Sequence, residues 1–329
     1  MYCRCNVDKG EEPTDVQCFV TAPFTADDAF VKIFEAKASV ESLSFTTYAS
    51  GTHKMDFVPT STLSTMPNLE KLKFYQVNLG TLAKRTFYNF SKLAVLSLDS
   101  NEITFLEKES ISQLPLLRKL ELADNKLASL AHGVLTELPS LTHLYLEKNQ
   151  IASLADMAFS HLRNLRELDV SDNVIETLTE ATFKGLDQLT RLDLFRNKLR
   201  RLGARVFSGT PMLEELDLKY NTIVEVDPLA FAGLPRLGIL YLSYNRLRVL
   251  PTKMFLGAPN LMTVDLSQNK LVTLTWRTLQ DLATIDASSF DLSLTGYETA
   301  SAVATPSISA IPPRLTDNPL TACPGEEIY

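Results

Sequence analysis

The chain of 329 residues has few of the features that mark membrane-spanning or disulfide-rich proteins. It has four cysteines, at positions 3, 5, 18 and 323, so none lies between residues 19 and 322. No run of about 18 apolar residues is present, which argues against a transmembrane segment. The opening residues MYCRCNVDKG also contain no apolar run of the kind found in signal peptides, so we expect that peptide to be missing from this sequence.

Positive charge is also scarce, because 32 lysines and arginines stand against 39 acids, and the net charge is −7. Nucleic-acid-binding proteins usually carry a basic excess, so no nucleic-acid partner is expected.

Catalytic motifs are missing as well. The four histidines, at positions 53, 132, 143 and 161, do not form the H-E-x-x-H pattern of zinc proteases. No G-x-S-x-G, phosphate loop or dinucleotide fingerprint occurs. We therefore expect a non-enzymatic protein without a metal or other cofactor.

What the sequence does contain is a repeat of 24 residues without insertion or deletion. Its first leucine column is Leu69, Leu93, Leu117, Leu141, Leu165, Leu189, Leu213, Leu237 and Leu261. Further apolar columns follow three and five residues later. An asparagine column comes next, at Asn101, Asn125, Asn149, Asn173, Asn197, Asn221, Asn245 and Asn269. A final column is mostly aromatic: Phe87, Ile111, Leu135, Phe159, Phe183, Phe207, Phe231, Phe255 and Leu279.

These columns have a physical explanation in a stacked parallel sheet. Apolar residues at alternate positions lie on one face of a short strand, and neighbouring repeats bury that face together. The asparagine amide can donate to and accept from backbone groups of the turn that follows each strand. The columns are therefore interpreted as structural, with the asparagines forming a ladder.

The pattern LxxLxLxxNxLxxL, followed by xxxxFxxLxx, resembles the typical leucine-rich repeat of extracellular proteins. Toll-like receptors, Slit and small leucine-rich proteoglycans carry this repeat. The resemblance implies an α/β repeat fold, a curved solenoid with a parallel concave β-sheet and an irregular or 3-10 convex side.

Three segments are expected along the chain. Residues 1–68 form an N-terminal cysteine-containing cap and a divergent first repeat, residues 69–284 form nine repeats, and residues 285–329 form an irregular tail. Cys3, Cys5 and Cys18 resemble the family's N-terminal cap with one cysteine missing, which leaves the pairing open. Cys323, in LTDNPLTAC, resembles the start of a C-terminal cap, and the tail is either a truncated cap or a natural ending with a spare thiol.

The variable positions between the fixed leucines point out of the concave face, where a ligand would bind. The candidate ligand-binding residues are His143, Tyr145, Asp169, Asp193, Phe195, Asp217, Tyr220, Tyr241 and Tyr244. Aromatic residues make effective anchors because they bury a large area at low entropic cost. Aspartate after the second strand leucine is frequent in such repeats, so the acids have a structural alternative.

The resemblance implies protein–protein recognition outside the cell, in a secreted protein or a receptor ectodomain of immunity, adhesion or guidance. The partner is a protein ligand or co-receptor, and a homo- or heterodimer is possible. Asn89, in the sequon Asn-Phe-Ser, is a candidate glycosylation site and is expected to face solvent. Two alternatives stay open: a matrix-organising protein, and an intracellular scaffold suggested by the missing signal peptide.

Overall fold

The computed structural model describes residues 2–6, 14–21, 39–47, 55, 57–272 and 290–291. The chain divides into two compact units, Met1–Asp169 (unit 1) and Val170–Tyr329 (unit 2). Each unit is a stack of short parallel strands with very little helix, as a leucine-rich-repeat solenoid requires.

Unit 1 contains one sheet that begins with the predicted N-terminal cap. Its strands are Tyr2–Asn6, Asp15–Phe19, Ser42–Thr46, Lys71–Tyr75, Val95–Ser97, Lys119–Glu121, His143–Tyr145 and Glu167–Asp169. The first two strands pair antiparallel, and each later strand is parallel to the strand before it. Leu43 lies opposite Leu72 even though 29 residues separate them, so the longer first repeat keeps the register of its strand. The only helix among the described residues is a single turn, Thr60–Leu63.

Unit 2 repeats the same strand pattern. Its strands are Arg191–Asp193, Glu215–Asp217, Ile239–Tyr241, Thr263–Asp265 and Phe290–Asp291. All pair in parallel, each with the next. The last strand lies in the segment expected to be an irregular tail, and its Phe290 is paired with Val264.

Several of the segments that connect successive sheet strands contain a short strand of two residues. Two-residue strands are Thr81–Leu82, Phe87–Tyr88, Phe105–Leu106, Ile111–Ser112, Ser129–Leu130, Leu135–Thr136 and Ser153–Leu154 in unit 1, and Arg201–Leu202 and Glu225–Val226 in unit 2. Each pairs in parallel with its equivalent in an adjacent repeat. Because the repeats have equal length, backbone groups in these segments also come into register.

The leucine and phenylalanine columns form the core of each unit. Leu144 and Leu216, for example, are completely buried. In unit 2 the rings of Phe183, Phe207, Phe231 and Phe255 stack at centroid separations of 6.0, 6.1 and 6.4 Å. The phenylalanine column therefore forms the continuous aromatic spine that the sequence indicates.

The asparagine ladder links each turn to the preceding repeat. Asn149 Nδ2 donates to the carbonyl oxygens of Leu122 and Leu146 at 2.9 and 3.0 Å, and its Oδ1 accepts from the Leu127 amide at 3.0 Å. In unit 2 Asn221 and Asn245 repeat this arrangement. The structure thus confirms that these ladder amides donate and accept simultaneously.

The N-terminal cap contains a disulfide bond between Cys3 and Cys18. The two residues lie directly opposite each other on the antiparallel strands, with the Cys18 side chain fully buried. Cys5 lies on the same strand as Cys3, opposite Val16, whereas Cys323 is outside the described residues. The described part of the chain contains no helix with the length and apolar character needed to cross a bilayer.

We predict that Asn149→Ala lowers the free energy of unfolding by about 1–3 kcal/mol, because the buried turn groups lose their partners. Denaturant unfolding monitored by circular dichroism measures the change. The exposed neighbour provides a control, since Gln150→Ala is expected to change the free energy by less than about 0.5 kcal/mol. Equal stability of the two variants would contradict the role of the ladder.

Candidate functional site

Three aromatic side chains gather beside the sheet strands of unit 2. Phe195 and Tyr220 meet edge to face at 5.3 Å between ring centroids, and Tyr220 stacks on Tyr244 at 4.1 Å with an interplanar angle of 8°. Tyr220 and Tyr244 keep 41% and 44% of their surface exposed. We call Phe195, Tyr220 and Tyr244 the aromatic cluster, and it is formed by equivalent loops of consecutive repeats.

The two tyrosines occupy an unusual backbone position. Tyr220 and Tyr244 have φ angles of 54° and 55°, because this position in each repeat makes the turn that leads into the ladder asparagine. The left-handed region favours glycine, asparagine and aspartate, and a bulky residue there is uncommon. Aspartate does occupy the equivalent positions 124 and 172. Tyrosine in two consecutive repeats therefore goes against the local backbone preference.

Arg196 places a positive charge against two rings of the aromatic cluster. The Arg196 guanidinium lies 5.0 Å from the ring centroid of Phe195 and 5.5 Å from that of Tyr220, and it pairs with Asp172 at 3.7 Å. Both distances fall within the range of cation–π attraction. The aromatic residues were predicted from the sequence as candidates, but the role of Arg196 in holding them was missed.

Tyr241 was predicted to lie with these aromatic residues, but the structure shows its ring in a cation–π contact with a lysine. Lys219 Nζ lies 4.1 Å from the centroid of the Tyr241 ring and 3.0 Å from an oxygen of Asp217. Partial burial lowers the pKa of Lys219, but the hydrogen bond and charge of Asp217, helped by Tyr241 and Asp265, raise this pKa by more. Lys219 therefore stays protonated at neutral pH, and it lies between the ring of Tyr241 and the carboxylate of Asp217.

Two of the candidate aspartates, Asp193 and Asp217, have a structural role. Asp193 Oδ1 accepts from the Phe195 amide at 2.9 Å, and Asp217 Oδ1 accepts from the Lys219 amide at 2.8 Å. Each carboxylate therefore supports the backbone of the loop that carries the aromatic cluster. A part in ligand binding is still a prediction for Asp169, Asp193 and Asp217.

The second candidate group, His143 and Tyr145, lies on unit 1 within a network of charges. The two rings are 6.3 Å apart, and His143 Nε2 lies 3.8 Å from Glu167 Oε2. The Lys119 ammonium lies 5.0 Å from the Tyr145 ring centroid and also contacts the Glu121 carboxylate. Both rings are partly buried, so this group offers less free aromatic surface than the aromatic cluster.

Glu147 is a titratable group that sequence reasoning did not single out as unusual. Its Oε2 is buried and has no hydrogen-bond partner among the described residues. Burial, opposed by a backbone hydrogen bond and Lys148 but reinforced by the charges of Asp169 and Asp99, raises the pKa of Glu147 to about 7. Burial, reinforced by Glu121, also raises the pKa of Asp99. This sheet face therefore carries carboxylates that hold their protons more tightly than exposed acids do.

Asn89 is exposed, whereas the nearby Phe87 and Phe90 are buried at 0% and 2% accessibility. Its side chain is therefore accessible for a glycan, as the sequence pattern predicts, although glycosylation itself is still a prediction.

Sequence profiles place repeats along most of the chain. The profile described as leucine rich repeat matches residues 67–127, 91–151, 139–199, 188–247 and 235–287. No curated protein sequence matches the chain significantly.

Solved structures of repeat proteins share the fold. The TLR13 chain in a complex with ssRNA13 is 25% identical, with a TM-score of 0.58, over 78% of this chain and 40% of that chain. An octameric complex of Latrophilin 3, Unc5D and the repeats of FLRT2 matches at 25% identity and a TM-score of 0.62, over 82% of this chain and 84% of that one. A leucine-rich repeat protein of Leptospira interrogans matches at 24% identity and a TM-score of 0.64, over 88% of this chain and 70% of that chain, which shows the fold alone. The chain thus spans less than half the length of the TLR13 chain.

We predict that Glu147→Gln stabilises unit 1 at about pH 8 by roughly 1 kcal/mol, less than the full pKa shift implies because solvent screens part of the charge. Between the ordinary pKa of 4.5 and the raised value of about 7, the folded state binds more protons than the unfolded state. The free energy of unfolding of the unmodified protein therefore falls as pH rises through that window.

Denaturant unfolding from about pH 4 to pH 8 measures this effect. The difference between Glu147→Gln and the unmodified protein is expected to disappear at the acidic end. Glu176→Gln, at an exposed position, serves as the matched control. A stabilisation by Glu147→Gln that stays constant over the whole range would rule out the raised pKa as its cause.

Proposed function

The chain belongs to the leucine-rich repeat family, and from that premise we propose that it is an extracellular protein-binding module whose partner docks on the aromatic cluster of unit 2. The family supports a binding role, and no enzyme family is indicated. The finer parts of the proposal are the site, the compartment and the kind of partner.

The stacked pair of Tyr220 and Tyr244 is the observation that carries the proposal. Two tyrosines with more than 40% of their surface exposed occupy left-handed backbone positions whose side chains point away from the core. The fold does not require an aromatic residue there, because polar residues such as Asp124, Lys148 and Asp172 occupy the equivalent positions. A preformed aromatic surface loses little side-chain freedom on binding and makes an effective hot spot.

Charges around the aromatic cluster give the surface a defined orientation for its partner. Arg196 holds the edge of the aromatic cluster, and Lys219 stands beside Tyr241. Each cation has an acid beside it, since Arg196 pairs with Asp172 at 3.7 Å and Lys219 pairs with Asp217 at 3.0 Å. Mixed charge of this kind steers association and selects partners more than it adds affinity. We infer that the partner is a protein with an apolar patch bordered by charges of both signs.

Two features support placement outside the cell. A disulfide joins Cys3 and Cys18, and disulfides persist mainly in oxidising compartments. Asn89 is exposed within a glycosylation sequon. Both features favour a secreted protein or a receptor ectodomain over an intracellular scaffold.

Similar folds occur in TLR13, whose structure is a complex with ssRNA13, and in FLRT2, which is found in an assembly with Latrophilin 3 and Unc5D. We propose a role of the same general kind, as a recognition protein of immunity, adhesion or guidance. Of these two relatives, FLRT2 provides the closer precedent for the proposed use, because its assembly is with proteins.

We predict that Tyr220→Ala combined with Tyr244→Ala weakens partner binding by at least about 2 kcal/mol, the usual threshold for hot-spot residues. A screen of surface-displayed extracellular proteins from the source identifies the partner, and surface plasmon resonance measures the affinity. The unfolding midpoint of the variant is expected to stay close to that of the unmodified protein, because both rings are exposed.

The matched control for this experiment is Phe105→Ala, which removes a 52% exposed aromatic residue from the short strand Phe105–Leu106 of unit 1. This variant should bind the partner as the unmodified protein does. Unchanged binding by the double tyrosine variant would place the site elsewhere, and a screen that retrieves only nucleic acids would reject a protein partner.

We also predict that the protein secreted from eukaryotic cells carries one N-linked glycan, at Asn89. Intact-mass spectrometry before and after enzymatic deglycosylation should show the loss of one glycan, and Asn89→Gln should abolish it. Non-reducing peptide mapping should recover Cys3 and Cys18 in one linked fragment. Free thiols and no glycan in the native protein would instead indicate an intracellular location.

A further inference from the structure

Unit 2 carries a basic surface formed by residues that follow the ladder asparagines, whereas Tyr220 and Tyr244 of the aromatic cluster precede them. It follows the ladder asparagines, where residues on both sides of a buried leucine point to solvent. Its members, which we call the basic flank, are all exposed: Lys198, Arg200, Arg246, Arg248 and Lys270. This concentration of positive charge contrasts with the net charge of −7 for the whole chain.

Backbone hydrogen bonds hold these residues in ordered rows. The Val224 amide donates to the Arg200 carbonyl at 2.9 Å, and the Val272 amide donates to the Arg248 carbonyl at 3.0 Å. In the neighbouring column, Thr222 lies between Lys198 and Arg246. In the Arg200 column cations alternate with valines from one repeat to the next, whereas in the Lys198 column Arg246 and Lys270 occupy consecutive repeats.

Within the described part of the chain, the cations of the basic flank form no ion pairs. Among the residues that the structure describes, no carboxylate lies within ion-pair distance of these five side chains. Arg201, which is nearby, differs because Glu225 pairs with it at 3.2 Å. Glu176 occupies the position of Arg200 in the preceding repeat but forms no ion pair. The basic flank can therefore offer its charge to another molecule.

Two exposed valines lie among these cations. Val224 stands between the rows of Arg200 and Arg248, and Val249 directly follows Arg248; each valine is 53% exposed. A flank that served only to keep the protein soluble would not need apolar residues among its charges. The valines add a short apolar strip that can contact a ligand beside the charged groups.

The same positions in unit 1 lack this character. They include Glu102, Lys126 and Gln150, and the single lysine pairs with Glu102 at 3.1 Å. The unit 1 positions equivalent to Arg200 and Arg248 hold only small, uncharged residues: Gly80, Thr104, Ala128 and Ala152. The repeat architecture therefore does not itself require positive charge here, and the basic flank is a specific property of unit 2.

We propose that the basic flank binds an acidic segment of a protein partner that also presents apolar side chains. Three of the five cations are arginines, at positions 200, 246 and 248. Arginine can bind a carboxylate through two parallel hydrogen bonds, which lysine cannot do. The valines accept the apolar side chains. This surface is additional to the aromatic cluster, so one partner or two different partners can engage unit 2.

The spacing of the cations fits an extended peptide. Neighbouring strands of a sheet lie about 4.8 Å apart, so cations two repeats apart are separated by roughly 10 Å. A chain in the polyproline II conformation advances about 3.1 Å per residue with three residues per turn, so acids three positions apart share one face and span roughly 9 Å. A segment of the form acid-apolar-small, repeated, then directs successive carboxylates to Arg200 and Arg248, with its apolar side chains on the adjoining face, beside the exposed valines.

Other polyanions fit the surface less well. A sulfated polysaccharide would use the cations but leave both valines without an apolar partner. Single-stranded nucleic acid gains affinity from bases stacked on aromatic rings, and the basic flank contains none. The combination of arginine and valine therefore favours the acidic protein segment.

The experiment measures binding of a labelled peptide, Glu-Ile-Ser repeated four times, to the whole protein by fluorescence anisotropy. A peptide with serine in place of isoleucine and a heparin oligosaccharide serve as comparison probes. The isoleucine peptide is expected to bind most tightly, with an affinity that falls as salt increases. Arg200→Gln combined with Arg248→Gln should raise its Kd by about tenfold.

The matched control is Arg118→Gln combined with Arg163→Gln, which removes two exposed charges from unit 1. Unchanged peptide binding by this control, with weaker binding by the flank variant, supports the proposal. Equal binding of the isoleucine and serine peptides, tighter binding of heparin, or equal effects of the two double variants would overturn it. Tyr220→Ala combined with Tyr244→Ala should leave peptide binding intact, which separates this surface from the aromatic cluster.

Discussion

The bond between a ladder asparagine and the turn of the preceding repeat is the interaction on which the rest of each unit depends. A strand of three residues cannot bury its leucines alone, so it needs a neighbour at a constant distance and in a constant register. Asn149 provides that link, because its side chain bonds to the backbone of its own repeat and of the repeat before it. Once the turns are joined in this way, the constant register brings equivalent leucines and phenylalanines of neighbouring repeats into contact.

The same link determines where variation is tolerated. The residue before each asparagine has a left-handed backbone and points away from the core, so its side chain is free to change. In unit 1 this position holds residues such as Ser100 and Lys148, whereas unit 2 uses it for Tyr220 and Tyr244. The residues after the asparagine are equally free, and there unit 2 has arginines and lysines. Both proposed binding surfaces of unit 2 therefore lie immediately beside the ladder that stabilises it.

Some of the candidate site could be predicted from the sequence because the repeat length is constant. Phe195, Tyr220 and Tyr244 fall at outward positions in consecutive repeats, and constant spacing places them side by side. The sequence could not tell that Tyr241 would lie against Lys219, because strand position does not specify the direction of a long side chain. It also could not show that the Asp193 and Asp217 carboxylates accept backbone amides of the loops that carry the aromatic cluster.

By itself, the sequence determined the fold, the identity of the core and the set of residues free to serve function, because a strict period of 24 residues leaves one way to bury its leucines. Only the tertiary structure decided which free residues act together. Stacking of Tyr220 on Tyr244, burial of the Glu147 carboxylate and the lack of ion pairs on the basic flank among the described residues depend on distances between repeats. Such distances arise from packing across the sheet, and no pattern along one repeat contains them.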